Sequence, residues 1–407
     1  MNDNLKIAWR NLWRNSRRTL ITAASIFFGV FFAAFMSSLQ KGSFENMVDN
    51  MVRFYSGYIQ IQESAFKELK SVNNSFVPDG ELEKLISDNQ RITQNTYRIE
   101  TFALAGSETK SYPAMVFGIE PENEDDISGL SKWVSDGKYI SSGSKDILIG
   151  KILAENMEIK VNDSIVFIGQ GYHGISTAGI YKVSGLLDFP LPDLSKRVIY
   201  MDIENCRTFA SLPEGQVTSG VIMVASPDDV EQTIRELKPG ISEDLAIYSW
   251  IDLQPELVSL IDGKTSSGKV IKALLFMVIG FGVWATIIML MHERKRELGV
   301  MIAIGFQKTR VVVMIIIESF FIGIIGVFSG IAGSFPLIWY LYKNPIRVTG
   351  EIAETYKSMG FEPIIKFSAA PEIFVSPAIT VFIIFALISF YQIYYVAKLN
   401  TVNALRA

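Results

Sequence analysis

Few of the 407 residues have the type and spacing that chemistry requires, and two histidines and one cysteine make up most of that inventory. His173 stands in a glycine-bearing stretch and His292 beside a charged run. Neither belongs to an HExxH pattern, whose spacing puts two imidazoles on one helix face for a metal. Cys206 has no second cysteine to pair with, which excludes a disulfide-stapled scaffold. The carboxylates Glu124-Asp125-Asp126 fall in the acidic run Pro121–Gly129, which reads as a solvated loop rather than a catalytic pair. Gly263-Lys-Thr-Ser-Ser-Gly268-Lys269-Val270 nearly matches the phosphate-binding loop GxxxxGK[ST]. Val270, however, stands where the Mg²⁺-binding hydroxyl is needed, and no buried strand leads into the segment. It reads as a flexible Gly/Ser linker. No catalytic residue, metal ligand or cofactor is expected on this chain.

Other residues carry a mechanical rather than a catalytic signal. Ser25, Gly29, Ala33 and Ser37 recur every four positions, and Gly326 and Gly330 form GxxxG with Gly323 and Gly333 nearby. Small residues at that spacing let helices approach closely in lipid. Glu318 is a lone carboxylate in an apolar run. An ionisable group at that depth needs a partner, and pairing with Arg310 or bonding to a neighbouring helix is expected.

The elements that hold these residues follow from the apolar distribution. The chain is 49% hydrophobic and 20% charged, with a formal net charge of −4. Its mean hydropathy is +0.26. Disorder is excluded by the apolar content, and no net positive charge is available for a nucleic-acid partner. Thr19–Gln40, Ala273–Met291 and Ile373–Ala397 contain no charged residue, and Val311–Tyr342 contains only Glu318. Each is long enough for a helix to cross a bilayer core of about 30 Å. Four spans are therefore expected at 19–41, 270–292, 311–342 and 373–397.

Basic residues mark one side of these spans. Lys6, Arg10, Arg14, Arg17 and Arg18 precede the first; Arg294, Lys295, Arg296, Lys308 and Arg310 follow the second; Lys398 and Arg406 follow the fourth. By the excess of Lys and Arg in cytoplasmic loops, the segments 1–18, 293–310 and 398–407 are cytoplasmic, as are both termini. The segments 42–269 and 343–372 then lie outside. In the larger one acids outnumber bases, and strand-like runs rich in β-branched and aromatic residues recur: Tyr55–Gln62, Thr96–Leu104, Ala114–Ile119, Ser164–Ile168, Tyr181–Leu187, Val198–Met201 and Val221–Val224. Ser226-Pro227-Asp228-Asp229 is a helix start. The expected fold is an α-helical membrane protein of four transmembrane helices, with a mixed α/β extracytoplasmic domain inserted between helices one and two.

The charged run after the second span, Glu293-Arg294-Lys295-Arg296-Glu297-Leu298-Gly299 followed by Ala303 and Gly305, reads as a short helix along the inner membrane surface. It also resembles the signature of MacB/FtsX-like ABC transporter permeases. The resemblance extends to Ala8-Trp-Arg-Asn-Leu-Trp-Arg-Asn ahead of Arg17-Arg18, and to Ile147-Leu-Ile-Gly150 followed by Val161-Asn-Asp163, with Asn162 where glycine is usual. It continues in Trp250 and Pro255-Glu-Leu257, in Glu318 through Gly330, and in the ending Leu399 to Arg406. Within that family, Ser56-Gly-Tyr-Ile-Gln-Ile-Gln62 resembles the opening strand of the lipoprotein-releasing (LolC/LolE-type) branch.

What the resemblance implies is a permease without enzymatic activity of its own. ATP and Mg²⁺ would be bound by a cytosolic ABC ATPase present in two copies, and a second copy or a sister permease would complete the dimer. Coupling to the ATPase would fall on Glu293, Arg294, Arg296, Glu297, Leu298, Gly299, Ala303 and Gly305. Membrane lipids and a periplasmic lipoprotein carrier are the remaining expected partners, in a bacterial inner membrane with the large domain in the periplasm. Lipoprotein extraction is the expected function. The alternatives are peptide or drug efflux with a periplasmic adaptor, and non-transporting regulation of a cell-wall hydrolase.

Overall fold

The computed structural model describes residues 9, 10, 12–14, 16–358 and 362–399. Residues 1–8, 11 and 15 of the basic amino-terminal segment, and 400–407 of the ending with Arg406, lie outside the described residues. Two compact units are present: Met1–Asn46 with Leu260–Arg347 and Ile364–Ala407, and Met47–Ser259 with Val348–Pro363. The second unit thus starts later and ends earlier than the 42–269 expected from charge, because both flanking helices run beyond the apolar stretch. It also takes in Val348–Pro363 of the 343–372 loop.

The first unit is built on four long helices: Ser16–Met51, Pro255–Glu293, Lys308–Lys343 and Glu372–Ala397. Four stretches, Thr19–Ser56 and the last three of these helices, are long and apolar enough to cross a membrane. Their shared core includes Ala23, Ile26 and Val30 of the first helix, Val283 and Ile287 of the second, Ile322 of the third, and Val381 and Phe385 of the fourth. The second helix corrects one expectation. Gly263–Lys269 is not a flexible linker but a stretch of continuous helix. Its glycines cost helix stability, about 1 kcal/mol each, yet extending an existing helix needs no new nucleus. Gly268 has a packing reason as well: the Gln40 side chain lies directly against it, and Gln40 Nε2 donates to the Lys264 carbonyl at 3.2 Å.

In the second unit a ten-stranded sheet runs β10-β1-β9-β2-β3-β8-β5-β7-β4, with β6 joined to β2 and β7. Its strands are β1 (Ile59–Glu63), β2 (Ile92–Gly106), β3 (Ser111–Ile119), β4 (Val134–Gly137) and β5 (Ile147–Gly150), then β6 (Ser164–Gln170), β7 (Ser176–Leu187), β8 (Val198–Asp202), β9 (Ser219–Val224) and β10 (Leu245–Ser249). β3–β8 and β5–β7 are parallel and the other pairings antiparallel. Alternation sorts the strand side chains between two cores. Ile147, Ile149, Ile199 and Met201 enter one, while Leu148, Val198 and Tyr200 enter the other. A strand buried on both faces reads as the continuous apolar run seen in β5 and β8.

All seven strand-like runs are strands, although β1 begins only at Ile59. The helix announced by Ser226 opens as a 3₁₀ turn, Pro227–Asp229, with the Ser226 side chain accepting from the Asp228 amide, and continues as Val230–Leu237. Asn162 has φ +77, a left-handed conformation that asparagine tolerates better than most residues. The acidic run Pro121–Gly129 is not a solvated loop. Pro121–Ser128 is a helix, and Glu124 on it is fully buried. Its carboxylate receives two hydrogen bonds from Arg98 of β2, at 2.8 and 2.7 Å. Burial opposes the Arg98 charge, but Glu124, joined by Tyr200 and Glu100, holds the guanidinium pKa above its ordinary value.

Candidate functional site

The charged run after the second long helix folds into two pieces with a break at Arg294. The long helix ends at Glu293, and a separate helix spans Lys295–Ala303. The expected single helix from Glu293 is therefore corrected by one local interruption. Arg294 turns inward, and its Nη1 lies 2.7 Å from Glu318 Oε2 of the third long helix, with both side chains nearly excluded from solvent. Arg310, the partner expected from sequence, is exposed. The reason is geometric: Arg310 shares the third helix with Glu318 but lies eight residues back, about two turns away.

Behind this pair the helices meet in a small polar cluster. Ser319 Oγ of the third helix donates to Gln392 Oε1 of the fourth at 2.7 Å. Thr22, Arg294, Glu318, Ser319 and Gln392 surround a cavity of 10 Å³ together with apolar side chains, at the lower limit of room for one water. Two buried polar pairs, Arg294–Glu318 and Ser319–Gln392, thus join helices at this depth, and paired polar groups in a low-dielectric interior favour one helix register.

The Lys295–Ala303 helix is held from below and ended sharply. Leu298 is fully buried among Met291, Val311, Ile315, Val396 and Leu399. At its end the Gly305 amide donates to the Ile302 carbonyl and the Phe306 amide to the Met301 carbonyl, each at 3.1 Å. This is a Schellman arrangement, and Gly305 supplies the required positive φ of +103. Lys308 Nζ then donates to the carbonyls of Ala397 and Leu399, tying the start of the third helix to the end of the fourth.

These contacts divide the eight residues singled out for coupling. Arg294, Leu298 and Gly299 are buried within their own unit, so they position the helix and offer no surface to a partner. Glu293, Arg296, Glu297, Ala303 and Gly305 are exposed. Three apolar side chains that sequence reasoning missed share the exposed side: Val300 at 42%, Ile304 at 71% and Phe306 at 44% exposure. They could have been found from the helix period, since positions 300 and 304 lie one turn apart and away from Leu298. Arg14 Nη2 lies 3.8 Å from Glu297 Oε2 in an exposed pair, which contributes little.

The small-residue stripes are both at helix contacts, but not at the same one. A Cβ on Gly326 would meet Ile26 Cβ at 2.6 Å, and one on Gly330 would meet Val30 Cβ at 2.8 Å. The third helix thus lies against the Ile26–Val30 ridge of the first. Gly29 faces Ile279 of the second helix instead. Ala33 is fully buried, whereas Ser25 and Ser37 are partly exposed and Ser25 Oγ bonds its own helix at the Ile21 carbonyl.

The residues of catalytic type are spread apart. Cys206 is buried, and burial pushes its thiol up to about 12, so it stays protonated and unreactive. His173 sits in the turn between β6 and β7, where its backbone amide donates to Asn73 Oδ1 at 2.6 Å. His292 packs on Tyr395. Among the described residues no group of three or more His, Cys, Asp or Glu could hold a metal ion.

Comparison with known proteins bears on what this arrangement belongs to. The FtsX-like permease C-terminal family matches residues 270–401, and the MacB-like periplasmic core domain matches residues 19–239. The lipoprotein-releasing system transmembrane protein LolC of Xylella fastidiosa strain 9a5c is 23% identical over 252 residues, 60% of each chain. An uncharacterized ABC transporter permease of Methanocaldococcus jannaschii is 24% identical over 209 residues, 49% of each chain. The chain thus spans about half to three-fifths of the length of these curated relatives. Among solved structures, the extracellular domain of the transporter YknZ from Gram-positive bacteria is 16% identical, with a TM-score of 0.33 over 47% of this chain and 99% of that one. The periplasmic region of MacB from Actinobacillus actinomycetemcomitans is 12% identical, with a TM-score of 0.34 over 49% and 91%. With both family matches in order along four apolar helices and one α/β domain, the chain belongs to the MacB/FtsX family of ABC transporter permeases.

Proposed function

We propose that this chain is the membrane subunit of an ABC transporter that converts ATP hydrolysis by a separate cytosolic partner into motion of an extracytoplasmic domain, and that its cargo is lipoprotein extracted from the inner membrane. The observation that carries the partner is the exposure, on and just after the Lys295–Ala303 helix, of the apolar Val300, Ile304 and Phe306 together with the charged Arg296 and Glu297. Exposed apolar side chains with charged neighbours in sequence suit a protein interface, whose core is apolar and whose rim is polar. In this reading the end of the helix is cytoplasmic and the α/β domain outside, which the Lys and Arg excess in the flanks supports. Two ATPase copies and a second permease, identical or sister, complete the assembly in this reading. Phe28 and Phe32 of the first helix and Met277, Phe281 and Trp284 of the second are exposed at membrane depth, which suits contact with lipid or with that second permease. The cargo rests on the likeness to LolC, and release to a periplasmic carrier follows from the same likeness.

Two measurements test the two halves. Ile304→Asp puts a charge at one of the exposed apolar positions and should reduce recovery of the ATPase with the purified permease at least tenfold, about 1.4 kcal/mol. Undiminished recovery removes this surface as the docking site. Depletion of the permease should leave acylated lipoproteins in the inner membrane. An unchanged lipoprotein distribution with raised drug sensitivity would replace release by efflux.

A further inference from the structure

The first long helix does not simply stop at Met51. It continues as a π-helical turn, Val52–Ser56, closed by Gly57, whose amide donates to the Val52 carbonyl at 2.7 Å. A helix end leaves its last carbonyls without intrahelical partners. Here two consecutive ones are taken by side chains of the sheet. Tyr200 Oη of β8 donates to the Phe54 carbonyl at 3.3 Å. Arg98 Nη1 of β2 donates to the Tyr55 carbonyl at 2.5 Å. The same guanidinium is bidentate on Glu124, whose helix is fastened by Tyr139 Oη donating to the Pro121 carbonyl at 2.9 Å.

The surroundings make this a rigid seat. Phe54 stacks on Phe189 at 5.3 Å and meets Trp133 edge-on at 5.9 Å, and Phe117 stacks on Tyr200 at 5.5 Å. Arg98 occupies the middle of the sheet, in register with Ser219 of β9 and Ile119 of β3. A positive charge at a helix C-terminus also interacts favourably with the helix dipole. A buried charge pair contributes little to stability compared with apolar side chains of similar volume. Stability alone therefore does not explain a fully buried arginine there, whereas fixing one geometry does.

We propose that Arg98, oriented by Glu124 and assisted by Tyr200, is a positioning residue that locks the end of the first long helix to the centre of the sheet, so that the two move as one body. This rests on the proposed function in one respect only: the transmitted motion is taken to drive transport. The return path is tied in next to it. β10, which leads back toward the second long helix, pairs with β1, and the Trp250 amide donates to the Tyr58 carbonyl at 3.0 Å. Both chain connections to the sheet, at Phe54–Tyr58 and at Trp250, are therefore fastened within the second unit.

The test measures rigidity directly, in the full permease–ATPase complex in lipid nanodiscs. Spin labels at Arg53 and Lys160, both exposed, report the distance between the helix end and the far part of the domain. The unmodified complex should give one narrow distance peak, unchanged in width by nucleotide. Arg98→Met with Glu124→Leu removes both charges and leaves the Tyr55 carbonyl unheld. It should melt like the parent yet lose the narrow peak, and lipoprotein release should fall while ATP turnover persists. Arg98→Lys keeps a charge that reaches both partners and should retain the peak; Tyr200→Phe, which removes one hydroxyl, should broaden it less than the double variant. A narrow peak in the double variant overturns the lock, whatever the cargo proves to be. Loss of the peak with release unaffected would keep the lock and overturn its role in transport.

Discussion

Replacing Glu318 with alanine is expected to lower the stability of the four-helix unit by about 3–5 kcal/mol. The reason is what remains rather than what is removed. Arg294 is 3% exposed and its Nη1 has Glu318 as its ion-pair partner at 2.7 Å. Its Nε already lacks a hydrogen bond, with Glu297 3.6 Å away. Without Glu318 a guanidinium is left charged and under-satisfied in an apolar bundle, and arginine cannot relieve this by losing its proton. The Lys295–Ala303 helix should detach, since Arg294 is the residue that turns the chain into it. Arg294→Met with Glu318→Leu removes both charges and should melt within about 1–2 kcal/mol of the parent. Thermal unfolding of the purified permease in nanodiscs distinguishes the cases. If Glu318→Ala unfolds at the parent temperature, the pair is not what holds this junction.

That pair shows where the sequence could be read and where it could not. Glu318 is conspicuous as the one carboxylate in an apolar span, and its need for a partner follows from the cost of burying charge. Which basic residue answers it is a question of tertiary packing. Arg294 and Arg310 both flank the membrane, and composition cannot say which of them turns inward. Glu124 failed for a related reason. Four acids in the five residues after Pro121 read as a solvated loop, and only the position of Arg98 on a central strand gives one of them a buried partner. Strands were legible where β-branched and aromatic residues cluster over longer runs, as in β2, β8 and β9, whereas β5, only Ile-Leu-Ile-Gly, was not among the runs read as strands despite being buried throughout. The short edge strand β4, Val-Ser-Asp-Gly, has no such pattern and exists by pairing with β7. β10 went unread because all its side chains are only half-buried.

The charged segment after the second long helix was legible as a helix but not as a surface. Its charged residues drew attention, yet the helix contributes both a buried face through Leu298 and an exposed apolar end through Ile304 and Phe306. A motif names residues without saying which of them hold the element in place and which face outward. The structure makes that division: Leu298 and Gly299 are buried within their own unit, while Ile304 and Phe306 are exposed.

Gly326→Leu is expected to force the first and third long helices apart, at a cost of at least about 1–3 kcal/mol. Even a methyl group at this position would lie 2.6 Å from Ile26 Cβ, 2.7 Å from Ile26 Cγ2 and 3.1 Å from the Ala23 carbonyl. The obstacle is near the backbone of the neighbouring helix, so rotating a flexible side chain does not remove it. Gly330 meets Val30 and the Phe27 carbonyl in the same way one turn later, and the strain of the first site is therefore not relieved by sliding the helices along each other. Gly282 provides the internal comparison: a Cβ there has nothing within 4 Å, so Gly282→Leu should be neutral or should strengthen its helix by up to about 1 kcal/mol. Both substitutions make the same chemical change at membrane depth, which removes altered hydrophobicity as an explanation for any difference between them. Unfolding of the two variants side by side isolates close helix approach, and equal melting would mean that the Gly326–Gly330 face does not bear on the first helix.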